Sequence, residues 1–260
     1  MSDVKSLKNI KLEENATSDL LNIVLNVSSE MGIRVWLDQG TLLGIVREGK
    51  LISWDNDVDI SSWSDDWSKE NEKVFRSRLF SQGVDSVVIP RNGAISMTWQ
   101  AKFRKRSSSR ELPVNLVRYT RDNSQAVRLF AKPRLNFKSI VGKVLIAIPC
   151  RCLRFFIKIY TIVRPDPSVH ARLVQKLENI HRVLWLYRDR YLRGSQLIEA
   201  KVPQCFFDNL LEIKLNSSRT LIPAKYEEYL TLKYGTDWMT PRQMWVTWED
   251  DGAISNTNKV

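Results

Sequence analysis

Trp54-Asp55-Asn56-Asp57-Val58-Asp59-Ile60, together with Gly40-Thr41-Leu42-Leu43-Gly44 upstream, is the part of the chain that decides its fold. Acids at alternate positions among apolar residues predict a strand over residues 51–60. Its pleat would set Asp55, Asp57 and Asp59 on one face and Trp54, Val58 and Ile60 on the other. Asp is disfavoured in strands, and like charges this close repel unless something neutralises them. A divalent cation does so, and hard carboxylate oxygens suit Mg²⁺ or Mn²⁺. The plain alternative for an isolated D-x-D is a solvated acidic edge or turn.

The glycine-rich stretch upstream tips the balance. A Gly-Thr turn leading into a short helix over residues 42–46 aims backbone amides and a helix N-terminus at a phosphate. Arg47 follows, and its planar guanidinium can clamp a phosphoryl oxygen. The acidic strand then returns beside the loop. A phosphate cradle, a metal platform and a positioned arginine are the parts phosphoryl transfer requires.

Composition narrows the class. With 260 residues, 43% hydrophobic and 27% charged, the chain is globular rather than disordered. A net charge of +11 implies an anionic partner: nucleotide phosphates, an acidic glycan, nucleic acid or a membrane surface. The basic residues are not interleaved with aromatics in a nucleic-acid-reading motif, so no nucleic acid is expected. Cys150, Cys152 and Cys205 form no disulfide framework or zinc pattern, and residues 1–15 are polar and charged, unlike a signal peptide. A cytoplasmic location is therefore expected. Only His170 and His181 are present, which argues against a His-centred metal site or a Ser-His-Asp mechanism.

Along the chain, residues 18–31 read as an amphipathic helix through Leu20, Val24, Val27 and Met31, ended by Gly32. A short strand is expected at 33–37, and a turn at Glu48-Gly49-Lys50. A helix at 67–80 should bury Trp67, Val74 and Leu79, followed by strands near 86–89, 95–103 and 114–119. Lys102 to Arg110 reads as a basic hairpin loop, either a solvated turn or a phosphate contact. Residues 139–163 approach the length of a membrane span, but Lys143, Arg151, Arg154 and Lys158 interrupt them. On a helix these four cations fall within roughly 80° of one another, as in a helix lying in a membrane interface. An ordinary helix pair broken at Pro149 is the other reading. Residues 169–193 read as a charged helix, 199–217 resist assignment, and 223–234 read as a helix begun by proline and stopped by Gly235.

Residues 36–60, WLDQGTLLGIVREGKLISWDNDVDI, resemble the signature of the LicD/fukutin family of phosphotransferases. Residues 222–241, IPAKYEEYLTLKYGTDWMTP, resemble that family's closing motif, in which a helix ends in Tyr-Gly with Trp and Pro soon after. The resemblance implies an α/β (α+β) fold of the nucleotidyltransferase-like, polymerase β superfamily type, a mixed sheet with flanking helices. A catalytic core is expected over 1–130 and a helical C-terminal part over 131–250 that includes the 139–163 segment, while the polar, acidic composition at the end of the chain predicts a disordered tail over 251–260.

The implied activity is Mg²⁺-dependent transfer of a phospho-alcohol, such as phosphocholine or a polyol phosphate, from a CDP-linked donor. The acceptor would be a hydroxyl of a cell-surface glycan or glycolipid precursor, as in lipopolysaccharide or teichoic acid modification, handled at the inner membrane face. Carried over by position, Gly40, Thr41 and Gly44 would contact the donor's phosphates with support from Arg47. Asp57 and Asp59 would hold the metal, with Asp55 a further ligand or an outer-shell partner. Tyr234, Gly235 and Trp238 match the closing motif, as packing or as substrate contacts.

The sequence departs from the pattern in one place. The fold usually supplies a third carboxylate from the next strand, and Pro113-Val114-Asn115-Leu116-Val117 carries Asn115 there. Asparagine can coordinate through its carbonyl oxygen but is neutral and accepts no proton. Asp55, Asp38 or Glu111 could serve instead. Two rival readings follow: a catalytically silent glycan-binding member of the family, and a D-x-D metal-dependent glycosyltransferase, for which only 54 residues precede Asp55.

Overall fold

Asn15 starts the first helix. In a computed structural model, which describes residues 9–12, 15–89, 98–104, 111–132 and 196–254, its side chain accepts from the Thr17 and Ser18 amides. Ser18 Oγ accepts in return from the Asn15 amide, closing a capping box on α1 (Ala16–Glu30). Leu20, Leu21, Val24, Leu25 and Val27 form its buried stripe. Gly32, at φ +67°, turns the chain into β2 (Val35–Leu37); the short β1 (Asn9–Ile10) precedes α1. Asp38 then caps α2 (Gln39–Glu48), which Gly49 ends in a left-handed conformation.

After α2 come β3 (Val58–Trp63), α3 (Lys69–Ser81), β4 (Val84–Ile89), β5 (Thr98–Phe103), β6 (Val114–Asp122) and β7 (Gln125–Lys132). The C-terminal part adds β8 (Gln196–Pro203), α4 (Cys205–Asp208), β9 (Leu210–Leu215), β10 (Ser218–Pro223), α5 (Tyr226–Tyr234) and α6 (Thr247–Asp250). The strands join in the order β1-β9-β10-β2-β3-β6-β5-β4, and β7 pairs with β6 and β8. The sheet is mixed: β3 runs parallel to β6 and β10 to β2, while β2–β3, β5–β6 and β9–β10 are antiparallel. The architecture is thus a mixed α/β one. Its core holds Trp36, Trp63, Tyr119, Phe207 and Tyr229, with Trp36 and Phe207 stacked at 4.9 Å. A second aromatic group, Trp67, Phe75 and Trp99, seats α3 on the sheet.

Several sequence expectations need correction. The strand expected at 51–60 begins only at Val58; residues 51–57 form turns, with the Asp55 amide donating to the Ile52 carbonyl. The low strand propensity of Asp and Asn explains the difference. Gly40 and Thr41 lie inside the first turn of α2 rather than in a loop before it. In α3 the buried pair is Phe75 and Leu79, four residues apart, and Val74 is exposed.

The part of the chain after residue 131 divides differently from the expected single C-terminal part. The chain separates into Met1–Phe130 with Glu199–Val260, and Ala131–Ile198. Residues after 199 therefore complete the first unit's own sheet rather than a helical C-terminal part. The alternation of buried Ala200 and Val202, and of Ser218, Thr220 and Ile222, is a strand signal. Residues 251–254 are packed rather than disordered: Asp251, Ala253 and Ile254 are buried, and Ile254 bridges to Ala200. The segment 139–163 with its four cations, the stretch 169–193 expected to be helical, both histidines and residues 105–110 of the expected basic loop lie outside the described residues. Among the described residues no helix is long and apolar enough to cross a membrane.

Candidate active site

Asp38 anchors the site from below. Its carboxylate is fully buried and accepts from the Gln39 amide at 2.7 Å, Ser61 Oγ at 2.6 Å, Tyr119 OH at 3.1 Å and Tyr229 OH. Burial alone would raise its pKa. The Lys233 and Arg128 charges and the Ser61 and Tyr229 hydroxyls outweigh that and hold it below the ordinary carboxylate value. With its oxygens so engaged, Asp38 is a cap and a strut, and so does not stand in as the third acid.

The backbone of Asp59 is fixed between Asp38 and Thr41. The Asp38 amide donates to the Asp59 carbonyl at 3.2 Å, and the Asp59 amide donates to Thr41 Oγ1 at 2.8 Å. The buried Thr41 hydroxyl therefore ties α2 to β3. In α2 the Gln39 amide is taken by the Asp38 side chain and the Leu42 amide by the Asp38 carbonyl, so Gly40 and Thr41 carry the amides with no intrahelical acceptor. A Cβ at Gly40 would collide with Asp55 Oδ2. The glycine therefore lets a carboxylate close in on the positive end of the helix, the place where a phosphate was expected. Gln39, which opens the helix, sits at φ +54°, a costly conformation for a residue with a side chain.

Asp57 and Asp59 meet at Asn115. The β3–β6 register puts Asp59 opposite Asn115, and the β5–β6 register puts Gln100 on Asn115's other side. Asn115 Nδ2 donates to Asp57 Oδ2 at 2.7 Å and to Asp59 Oδ1 at 3.2 Å, while its Oδ1 accepts from Gln100 Nε2 at 3.1 Å. The acids are short of positive charge. Burial and then the Asp57 charge push Asp59 up to about 6, against the pull of Arg128 and Asn115. Asp55 and Asp57 are also raised, first by burial and then, for Asp57, by Asp55.

Other expected site residues take different places. Arg47 lies near the C-terminal end of α2, seven residues and about 10 Å along the axis from Gly40. Its guanidinium pairs with Glu48 through Nε at 2.9 Å and Nη2 at 2.5 Å. With Glu48, Trp54, Met239, Pro241 and Gln243 it lines an open cleft of about 550 Å³. Gly44 is a packing glycine, because a Cβ there would meet the Lys50 carbonyl oxygen at 2.6 Å. Glu111 accepts from the Phe103 amide through Oε1 at 3.0 Å, and its Oε2 is buried without a hydrogen-bond partner. In the closing motif, the Tyr234 ring packs 4.8 Å from Trp245, Gly235 turns the chain at φ +89°, and the Trp238 amide donates to the Gly235 carbonyl. The Tyr234 hydroxyl is also raised, first by burial and then by the charges of Asp251, Asp38, Asp59 and Asp55, so it lies within electrostatic reach of the acids.

Sequence reasoning missed the hydroxyls of Ser61, Tyr119 and Tyr229 on Asp38, and also Gln100, Arg128, Lys233 and Asp251. Arg128 is buried on β7, its Nη1 without a hydrogen-bond partner, and its charge acts on both Asp38 and Asp59. Lys233 and Asp251 form a fully buried ion pair at 2.6 Å. The available signal was a lone cation inside an apolar stretch, as in the run Ala126-Val127-Arg128-Leu129-Phe130.

Among the described residues no group of three or more His, Cys, Asp or Glu side chains is arranged to hold a metal ion. The donor chemistry at Asp57 and Asp59 nonetheless fits one: two half-buried carboxylates converge on a single N–H₂ group, and both are raised, first by burial and then by a neighbouring carboxylate.

Residues 32–141 match the family model described as LicD/FKTN/FKRP, nucleotidyltransferase domain. Over 51 residues the chain is 39% identical to the ribitol 5-phosphate transferase FKRP of Homo sapiens and to that of Mus musculus. That stretch is 20% of this chain and 10% of each relative, so the chain spans about a tenth of the length of the curated relatives it matches. The matched segment holds Asp38, Gly40, Arg47, Asp55, Asp57, Asp59 and Asn115, and over these residues the chain is similar to the LicD/FKTN/FKRP family.

Proposed function

We propose that this chain is a metal-dependent phosphotransferase on a nucleotidyltransferase-like fold, moving a phospho-alcohol from a CDP-linked donor to a hydroxyl of a glycan or glycolipid precursor. The observation that carries the reading is the convergence of Asp57 and Asp59 beside the first turn of α2. The likeness to ribitol 5-phosphate transferases favours a polyol phosphate such as ribitol 5-phosphate as the transferred group. Asp57 and Asp59 would hold Mg²⁺ or Mn²⁺, which when bound supplies charge neutralisation at the phosphoryl group. The chain's own residues do the rest. Thr41 and Asp38 fix the Asp59 backbone, Asp38 is in turn held by Tyr119 and Tyr229, and the open cleft beside Trp54 and Arg47 takes substrate.

In the reaction the acceptor oxygen bonds to phosphorus as the bond from phosphorus to the bridging oxygen of CMP breaks. The hydroxyl proton passes to a carboxylate of the Asp55–Asp59 group. We extend the proposal to an encounter with the cytoplasmic membrane face through the basic, apolar stretch 139–163, on its charge pattern alone.

The purified chain with Mg²⁺ and a panel of CDP-alcohols, with and without glycan acceptors, should release CMP, and Asp57→Ala and Asp59→Ala should abolish that release. Asn115 favours a second reading, a silent glycan-binding family member, because its amide fills the place between the acids. That reading expects donor binding without turnover, and turnover restored by Asn115→Asp.

A further inference from the structure

Three strands place Asp59, Asn115 and Gln100 in one row across the sheet. Both Asn115 Nδ2 protons are spent, one on Asp57 and one on Asp59, and Asn115 Oδ1 faces Gln100 Nε2. The direction follows from donor chemistry, since an ionised carboxylate only accepts and so the amide must turn its N–H₂ to the acids. An oxygen donor set for a cation needs the opposite face of Asn115. Turned alone, Asn115 would set its N–H₂ against the N–H₂ of Gln100, two donors facing each other at a buried position. Gln100 can remove the conflict by turning as well and presenting Oε1.

We propose that Gln100 is a positioning residue, and that Asn115 and Gln100 form an amide pair which turns end for end between the cation-free and cation-bound states of the Asp57–Asp59 site. The inference rests on the metal-dependent reading above. In the cation-free state the N–H₂ of Asn115 holds the two acids together. In the cation-bound state Asn115 contributes its carbonyl oxygen while Gln100 Oε1 accepts the displaced N–H. The missing third carboxylate is thereby replaced by a neutral donor whose orientation a neighbouring strand controls.

The test uses Mn²⁺ alone, titrated calorimetrically into the full chain. Gln100→Glu, which can only accept, should fix the turned state and tighten Mn²⁺ binding by about tenfold, whereas Gln100→Met leaves the turned N–H₂ without an acceptor and should weaken it by about tenfold. The added charge of Gln100→Glu is controlled in an Asn115→Ala background, where the same substitution should change affinity by less than about threefold. In ¹⁵N-asparagine-labelled protein, the metal-free Asn115 N–H₂ resonances of Gln100→Glu should resemble those of the Mg²⁺-saturated wild type. Equal tightening in both backgrounds, or unchanged Asn115 resonances in Gln100→Glu, would overturn the amide pair while leaving the metal site in place. If neither wild type nor any variant binds Mn²⁺, the metal-dependent reading fails together with this one.

Discussion

Asp59 and Asn115 face each other across the parallel β3–β6 pair, and Asn115 Nδ2 donates to Asp59 Oδ1 at 3.2 Å. The same nitrogen reaches Asp57 at 2.7 Å, so one neutral amide bridges the two acids on which phosphoryl transfer would depend. A carboxylate at position 115 would add a third negative charge to a group already short of positive charge. The amide instead lets the site hold together in the absence of a cation. The two acids, the amide and the first turn of α2 form one unit that responds to charge.

Gly40 and Gly44 are both in α2 but have different jobs, and alanine should separate them. At Gly40 the added methyl meets only the end of the Asp55 side chain, which can swing away. Gly40→Ala should leave stability within about 1 kcal/mol, since alanine is the better helix former, yet cut turnover by roughly a hundredfold through a misplaced Asp55. At Gly44 the methyl meets the Lys50 backbone, which cannot move freely. Gly44→Ala should therefore cost about 1–3 kcal/mol, read by urea denaturation.

The buried pair Lys233–Asp251 makes a second stability prediction. Both side chains are about 1% exposed, at a separation of 2.6 Å. Lys233→Met strands the Asp251 carboxylate in the interior and should destabilise by about 3–5 kcal/mol. Lys233→Met combined with Asp251→Leu removes both charges and should recover most of that loss, as measured by chemical denaturation.

Asp59 gives the metal-free protein a pH dependence. Its carboxyl is raised from the ordinary 3.8 to about 6 by burial and then by the Asp57 and Asp38 charges, with Arg128 and Asn115 pulling the other way. Between these values the folded protein keeps a proton that the unfolded chain has released. The contribution therefore favours folding at the low end and is lost as pH rises through about 6. Asp38 works in the opposite direction: held low, its contribution is lost only as pH falls below the ordinary carboxylate range. In EDTA, Tm should decline from pH 4.5 to pH 7, and Asp59→Asn should flatten that decline. A ¹³C-detected titration of the carboxyl carbons should find one Asp midpoint near 6 that disappears in the variant.

Much of the site was legible because its signals are local. Gly40-Thr41, Arg47 and the alternating acids all lie within twenty residues of one another, and Asp57 and Asp59 do meet at Asn115, though through a turn before β3 rather than along one strand face. The reading failed where long-range partners decide. Tyr229 reaches Asp38 across 191 positions, and Asn115 reaches Asp57 across 58, so no window of sequence contains either contact. Arg47 is the reverse case. Its position between loop and strand suggested a phosphate clamp, yet helical rise carries it to the far end of α2, beside Trp54. The strands after residue 196 were obscured by charged residues on their exposed faces, such as Glu199 and Lys201.

The most direct measurement follows ³¹P NMR of the full chain with Mg²⁺, CDP-ribitol and a glycan acceptor. Metal-dependent phosphoryl transfer at this site predicts a new phosphodiester signal growing in step with CMP in the wild type, and neither signal with Asp57→Ala or Asp59→Ala. Undiminished phosphodiester formation in both alanine variants would contradict it.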